Sequence, residues 1–125
     1  MLLFDTNIFL EILLDQEKSK DCKRLLHDNV GSFNISDFSL HSIGVILFRQ
    51  NKKNSFFKFV ADVLPKVTLL SLPNDGYEAL LKPMIHVGLD FDDSYQYAIC
   101  KYYKKSLVTM DKDFKIIKDI EIQYI

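Results

Sequence analysis

Short apolar runs of strand length alternate along this chain with longer stretches of helical period, the pattern of a parallel sheet covered by helices on both faces. The strand-like runs are Leu2 to Phe4, Phe33 to Ser36, Val67 to Leu72, Leu107 to Met110 and Glu121 to Tyr124. Helices are expected over Ile8 to Leu14, Ser19 to His27, Phe38 to Gln50, Asn54 to Leu64, Gly76 to Val87 and Phe91 to Lys104. The expected fold class is therefore α/β, three-layered, with a central parallel sheet of four or five strands. Ser36 is a candidate N-cap, Asn51-Lys52-Lys53-Asn54 breaks one helix from the next, and Pro65 ends another by withholding a backbone donor.

A chain of 125 residues fits one domain, 1–125, with a substantial core. Its 48% apolar content and ten Phe exclude a disordered chain, and 26% charged residues suit a soluble surface. The net charge of −1 gives no overall attraction to nucleic acid, although an acidic pocket would mask a basic surround in that sum. The apolar run Ile8 to Leu14 is interrupted by Glu11, and nothing approaches the roughly 18 apolar residues of a membrane span, so a cytoplasmic location is expected. Cys22 and Cys100 stand apart from each other and from clustered His, which indicates neither zinc nor a disulfide framework; both are expected to be reduced and partly buried.

Phe56, Phe59, Val60 and Val63 share one helical face, which Phe57 and Leu64 widen beyond a single packed side. That helix is expected either to lie clamped in the core or to offer a homodimer or partner surface. Gly44 inside a helical stretch points to close approach of a neighbour, since glycine there costs about 1 kcal/mol against alanine.

The acids carry the chemistry. Asp5 closes the first strand-like run, Asp111 follows the fourth, and Asp93 stands near the start of the last helix. Each alone has an ordinary reading: Asp5 can cap the first helix, and Asp90 the helix that contains Asp93. Jointly they fit the crevice beyond the carboxyl ends of parallel strands, where gathered carboxylates repel unless a hard cation with oxygen ligands neutralises them. Lys101, Lys104, Lys105, Arg49, Lys52 and Lys53 can contact phosphate or form a solvated surface. Tyr95, Tyr97, Tyr102 and Tyr103 can stack on bases or pack inside.

Asp5-Thr6-Asn7, the pair Asp92-Asp93 and the block Leu107-Val108-Thr109-Met110-Asp111-Lys112-Asp113-Phe114 resemble, in order and spacing, the three signature blocks of PIN-domain ribonucleases. The chain looks most like the small VapC-type toxins of type II toxin-antitoxin pairs. The resemblance implies a PIN-like domain that cleaves RNA with Mg²⁺ or Mn²⁺ held by Asp5, Asp93 and Asp111. Asn7 and Thr109 would support these ligands, with help from Asp113 or Asp90. It also implies restraint by a small antitoxin and a homodimer. The family usually adds a glutamate in a block resembling Ile35-Ser36-Asp37-Phe38-Ser39-Leu40-His41-Ser42, and here that position is Ser42. His41, beside it, is either a ligand, base or phosphate contact or simply a polar residue at the pocket mouth. The alternative is a degenerate PIN domain that serves as a binding module for protein or RNA.

Overall fold

The computed structural model describes residues 1–125. Five strands form one parallel sheet: β1 (Leu2–Phe4), β2 (Phe33–Ser36), β3 (Thr68–Leu70), β4 (Ser106–Thr109) and β5 (Ile122–Tyr124), in the order β3-β2-β1-β4-β5. The chain builds outward from β1 through β2 to β3, then crosses back to place β4 on the other side of β1. Strand order reverses between β1 and β4, and open α/β sheets place their binding crevices at such a reversal, beyond the carboxyl ends of the strands.

The register is set by side chains that alternate between two apolar layers. Leu3 pairs with Leu107 and Phe4 with Val108. Leu3 and Leu107 enter one core with Tyr95, Ile99 and Phe114, while Phe4 and Val108 enter the other with Phe9, Phe33 and Ile43. A one-residue slip would exchange these two sets. Strands buried on both faces read as continuous apolar runs, which is why β1 and β4 were legible despite their shortness. Phe4 stacks on Phe33 with ring centroids 4.6 Å apart.

Helices α1 (Thr6–Leu13), α2 (Ser19–Asp28), α3 (Asp37–Arg49), α4 (Lys53–Asp62) and α6 (Phe91–Tyr103) match the expected segments within two residues at each end. Ser36 caps α3 by accepting the Ser39 N–H at 3.0 Å. Gly44 of α3 meets α4: a Cβ there would lie 3.2 Å from the Phe56 ring. Both cysteines are free and buried. No helix is long and apolar enough to cross a membrane.

Two expectations need correction. Gly76 to Val87 is not one helix but a single turn, α5 (Asn74–Gly76), a π turn over Tyr77–Leu81 and a 3₁₀ segment over Lys82–His86. Pro83 is the cause, since it removes an intrahelical donor and its ring clashes with the carbonyl four residues earlier. On α4 only Phe59 is buried; Phe56, Val60 and Val63 are partly covered, and Phe57 is 58% exposed. The helix lies on the flank of the core instead of being clamped within it, so its apolar arc is only partly consumed.

Candidate active site

The crevice predicted by the strand order is an acidic cleft of about 230 Å³. Asp5 reaches it from the end of β1, Asp111 from the end of β4, and Asp90, Asp92 and Asp93 from the start of α6, with Asp113 two residues beyond Asp111. Thr6, Asn7 and Ser42 complete its polar lining. Asp93, Asp111 and Asp113 each place a carboxylate oxygen within 4.8 Å of the other two, and Asp90, Asp92 and Asp93 do the same. None of the six aspartates takes part in any of the protein's three ion pairs, and no Lys, Arg or His lines the cleft.

Asp5 is held from three sides. Its Oδ1 accepts the Thr6 N–H at 2.9 Å, so it caps α1, and also the Gln96 amide at 3.2 Å. Its Oδ2 accepts the Thr109 hydroxyl at 2.8 Å, and Thr109 in turn accepts the Asp111 N–H at 2.9 Å. A carboxylate offers about four lone-pair sites, so three are spoken for and one remains for a ligand. One side chain thus both caps α1 and lines the cleft. Asp111 caps the following 3₁₀ turn by accepting the Asp113 N–H at 2.8 Å.

Burial and crowding act together on the acids. Asp93 is 8% exposed, and loss of water, reinforced by the charges of Asp92, Asp111, Asp5 and Asp90, pushes its pKa up to about 7. Burial also raises Asp5, against the opposing hydrogen bonds from Thr109, Gln96 and Thr6. The cleft therefore carries negative charge that the polypeptide itself leaves uncompensated.

The PIN domain family model matches residues 2–120. The chain belongs to the PIN domain family. Among solved structures, this PIN domain superimposes on Mycobacterium tuberculosis VapC20, a Sarcin-Ricin loop cleaving toxin, with a TM-score of 0.81, 16% identity and coverage of 98% of this chain and 99% of that one. It superimposes on a DNA-bound VapBC from Salmonella typhimurium with a TM-score of 0.79 and 14% identity over 98% and 96% of the two chains. A toxin-antitoxin complex from Klebsiella pneumoniae gives 0.75 and 20% over 96% and 95%. The parallel sheet and its helices are thus those of VapC-type PIN structures. No curated protein matches the sequence.

His41, Asp90 and the tyrosines each have a definite place in this PIN domain. His41 is exposed and lines a neighbouring groove with Val45, outside the acidic cleft, because it lies about 100° around α3 from Ser42. Asp90 occupies the N-cap position of α6 but its side chain makes no capping hydrogen bond. Three of the four tyrosines are engaged in the fold: Tyr95 donates to Asp37, Tyr97 to Asp119 and Tyr103 to the Ser71 carbonyl. The sequence reading passed over Gln96 and Ser39. The signal for Gln96 was present, since a polar residue three positions after Asp93 interrupts an otherwise apolar-aromatic stretch on the same helical face.

Proposed function

We propose that this PIN domain is a metal-dependent endoribonuclease of the VapC toxin kind. The observation that carries the reading is the uncompensated cleft, in which six carboxylates converge without a single cationic side chain. All the charged donors are hard oxygens, and a divalent cation would offset the burial and the like charges that together raise Asp93, so the residues fit Mg²⁺ or Mn²⁺. Asp5, Asp93 and Asp111 would hold the ion; Asp113 and Asp90 stand beside them. When bound, such an ion activates water for attack on an RNA phosphodiester and stabilises charge on the phosphate and leaving oxygens. The polypeptide's part is to fix the carboxylates: Thr109 orients Asp5 and ties it to the Asp111 backbone. Asn7, exposed on the cleft wall, would donate to a phosphate oxygen.

Ser42 lines the cleft where the family usually has glutamate, and this observation favours the second reading, a degenerate module that binds without cutting. Ser42→Glu separates the two. It should tighten Mn²⁺ binding on the order of tenfold and raise cleavage of a mixed single-stranded RNA, while lowering the melting temperature in EDTA through added repulsion. Isothermal titration, a cleavage assay and thermal unfolding read the three effects. No metal-dependent cleavage by wild type or Ser42→Glu would leave the binding module as the better account.

A small antitoxin and a second copy of the chain are the proposed partners. The reading draws on the exposed rings of Phe48 and Phe57, 41% and 58% accessible, which pack edge to face at the outer end of α3 and α4. Aromatic side chains so exposed together are uncommon on a surface without a partner. Sedimentation should show the wild type as a dimer, or as a complex with a co-expressed antitoxin, and Phe57→Glu should weaken whichever association is present. A monomeric wild type that captures no antitoxin removes this proposal.

A further inference from the structure

Gln96 is 1% exposed in the middle of α6, and its side chain reaches both the Asp5 carboxylate and the Ser39 hydroxyl. The amide nitrogen donates to Asp5 Oδ1 at 3.2 Å and to Ser39 Oγ at 2.8 Å, which uses both of its protons. The amide oxygen finds no donor in the protein. A buried acceptor left unpaired is costly, so a side chain that served only to fill space here would be better replaced by an apolar one. The compensating gain must lie at the nitrogen end.

The reason emerges from the proton count. Ser39 Oγ accepts from Gln96 and from the Ser36 hydroxyl at 3.2 Å, which fills both lone pairs. Its own proton must then point to the remaining neighbour, Thr6 Oγ1 at 2.7 Å. Thr6 is left as acceptor in that bond, and its hydroxyl proton is free to face the cleft it lines. Without the Gln96 donor, Ser39 would regain a free lone pair and the Thr6 proton could turn inward to it.

We propose that Gln96 is a positioning residue with two effects: it fixes the Asp5 carboxylate for a divalent cation, and it orients the Thr6 hydroxyl as a donor toward a phosphate oxygen in the cleft. The inference rests on the nuclease reading above, because it assigns Gln96 a task at that same site. The test compares Gln96→Met, which keeps length and removes the donor, with Ser39→Ala, which removes the shared acceptor without touching Asp5. Tyr97→Phe on the same helix, a residue that does not line the cleft, is the structural control, since it loses a part-buried hydroxyl bonded to Asp119.

Mn²⁺ affinity by isothermal titration and melting temperature in EDTA are measured for all four proteins. Gln96→Met should bind Mn²⁺ about 10-fold or more weakly, the range expected when a residue that orients a ligand is lost. Ser39→Ala, which leaves the hydrogen bonds to Asp5 in place, should be weaker by only about threefold, below that range, while Tyr97→Phe should melt lower but bind as wild type. If Gln96→Met does not fold, Ser39→Ala decides. Wild-type affinity in every variant that folds overturns the role of Gln96 and leaves the nuclease reading intact, whereas a wild type that binds no Mn²⁺ overturns both.

Discussion

Asp93→Asn should lower metal-dependent RNA cleavage by about two to three orders of magnitude and at the same time make the metal-free protein more stable at pH 8. The first effect follows from the transition-state stabilisation of several kcal/mol that a well-held ion supplies, at about 1.4 kcal/mol per factor of ten. The second follows from the position of Asp93. It is 8% exposed and stands among Asp92, Asp111, Asp5 and Asp90, so its charge is disfavoured in the folded state. Asparagine keeps the shape and removes that charge, a gain on the order of a few kcal/mol for a group whose pKa stands near 7 in place of 3.8. A residue that merely supported the fold would show both quantities falling together. Cleavage rates with Mn²⁺ and denaturant unfolding in EDTA check the pair, and unchanged cleavage in Asp93→Asn would remove it from the proposed ligand set.

The metal-free protein should lose stability as the pH rises from about 4 to about 7, and Mn²⁺ should restore it more at pH 8 than at pH 5. Below pH 4 Asp93 is protonated in both folded and unfolded chains and makes no difference. Above that, the unfolded chain loses the proton near 3.8 while the folded chain keeps it to about 7, so the folded state binds more protons and stability falls with rising pH. Past pH 7 the loss is complete. Asp5, raised in the same direction by burial, adds to the trend. A cation bound only to the folded state contributes roughly 2.7 kcal/mol at 100 times its dissociation constant, but at pH 5 it must first displace the proton. Thermal scans at pH 5 and 8, with EDTA and with Mn²⁺, measure this for wild type and Asp93→Asn. The substitution should flatten the metal-free pH dependence, and an equal Mn²⁺ shift at both pH values would contradict the expectation.

Much of this molecule was legible because short-range rules dominate where strands are buried on both faces. Leu2-Leu3-Phe4 and Leu107-Val108 read as strands, and the acids that end them fall beside the point where the sheet reverses its order. The helix over Gly76 to Val87 failed because periodicity counts side chains and overlooks the donor that Pro83 lacks. Of the two readings left open for His41, the polar residue at the pocket mouth fits its place in the groove that adjoins the cleft along Phe38, Ser42 and Ile46. The polar break at Gln96 was visible in the sequence, but its partners Asp5 and Ser39 lie 91 and 57 residues away and only the fold names them.

The sequence by itself determined the order of the strands and helices and the ends at which Asp5, Asp93 and Asp111 stand. Those follow from local propensity, alternation and motif spacing. Only the tertiary structure decided that six aspartates share one cleft without a counter-charge, that burial lifts Asp93 toward neutrality, and that Gln96 joins Asp5 to Ser39 across 91 and 57 residues of chain. Charge repulsion, desolvation and hydrogen-bond direction depend on distances in space, and distances between residues so far apart in sequence are set by the packing of β1, α3, β4 and α6 around the switch point of the sheet.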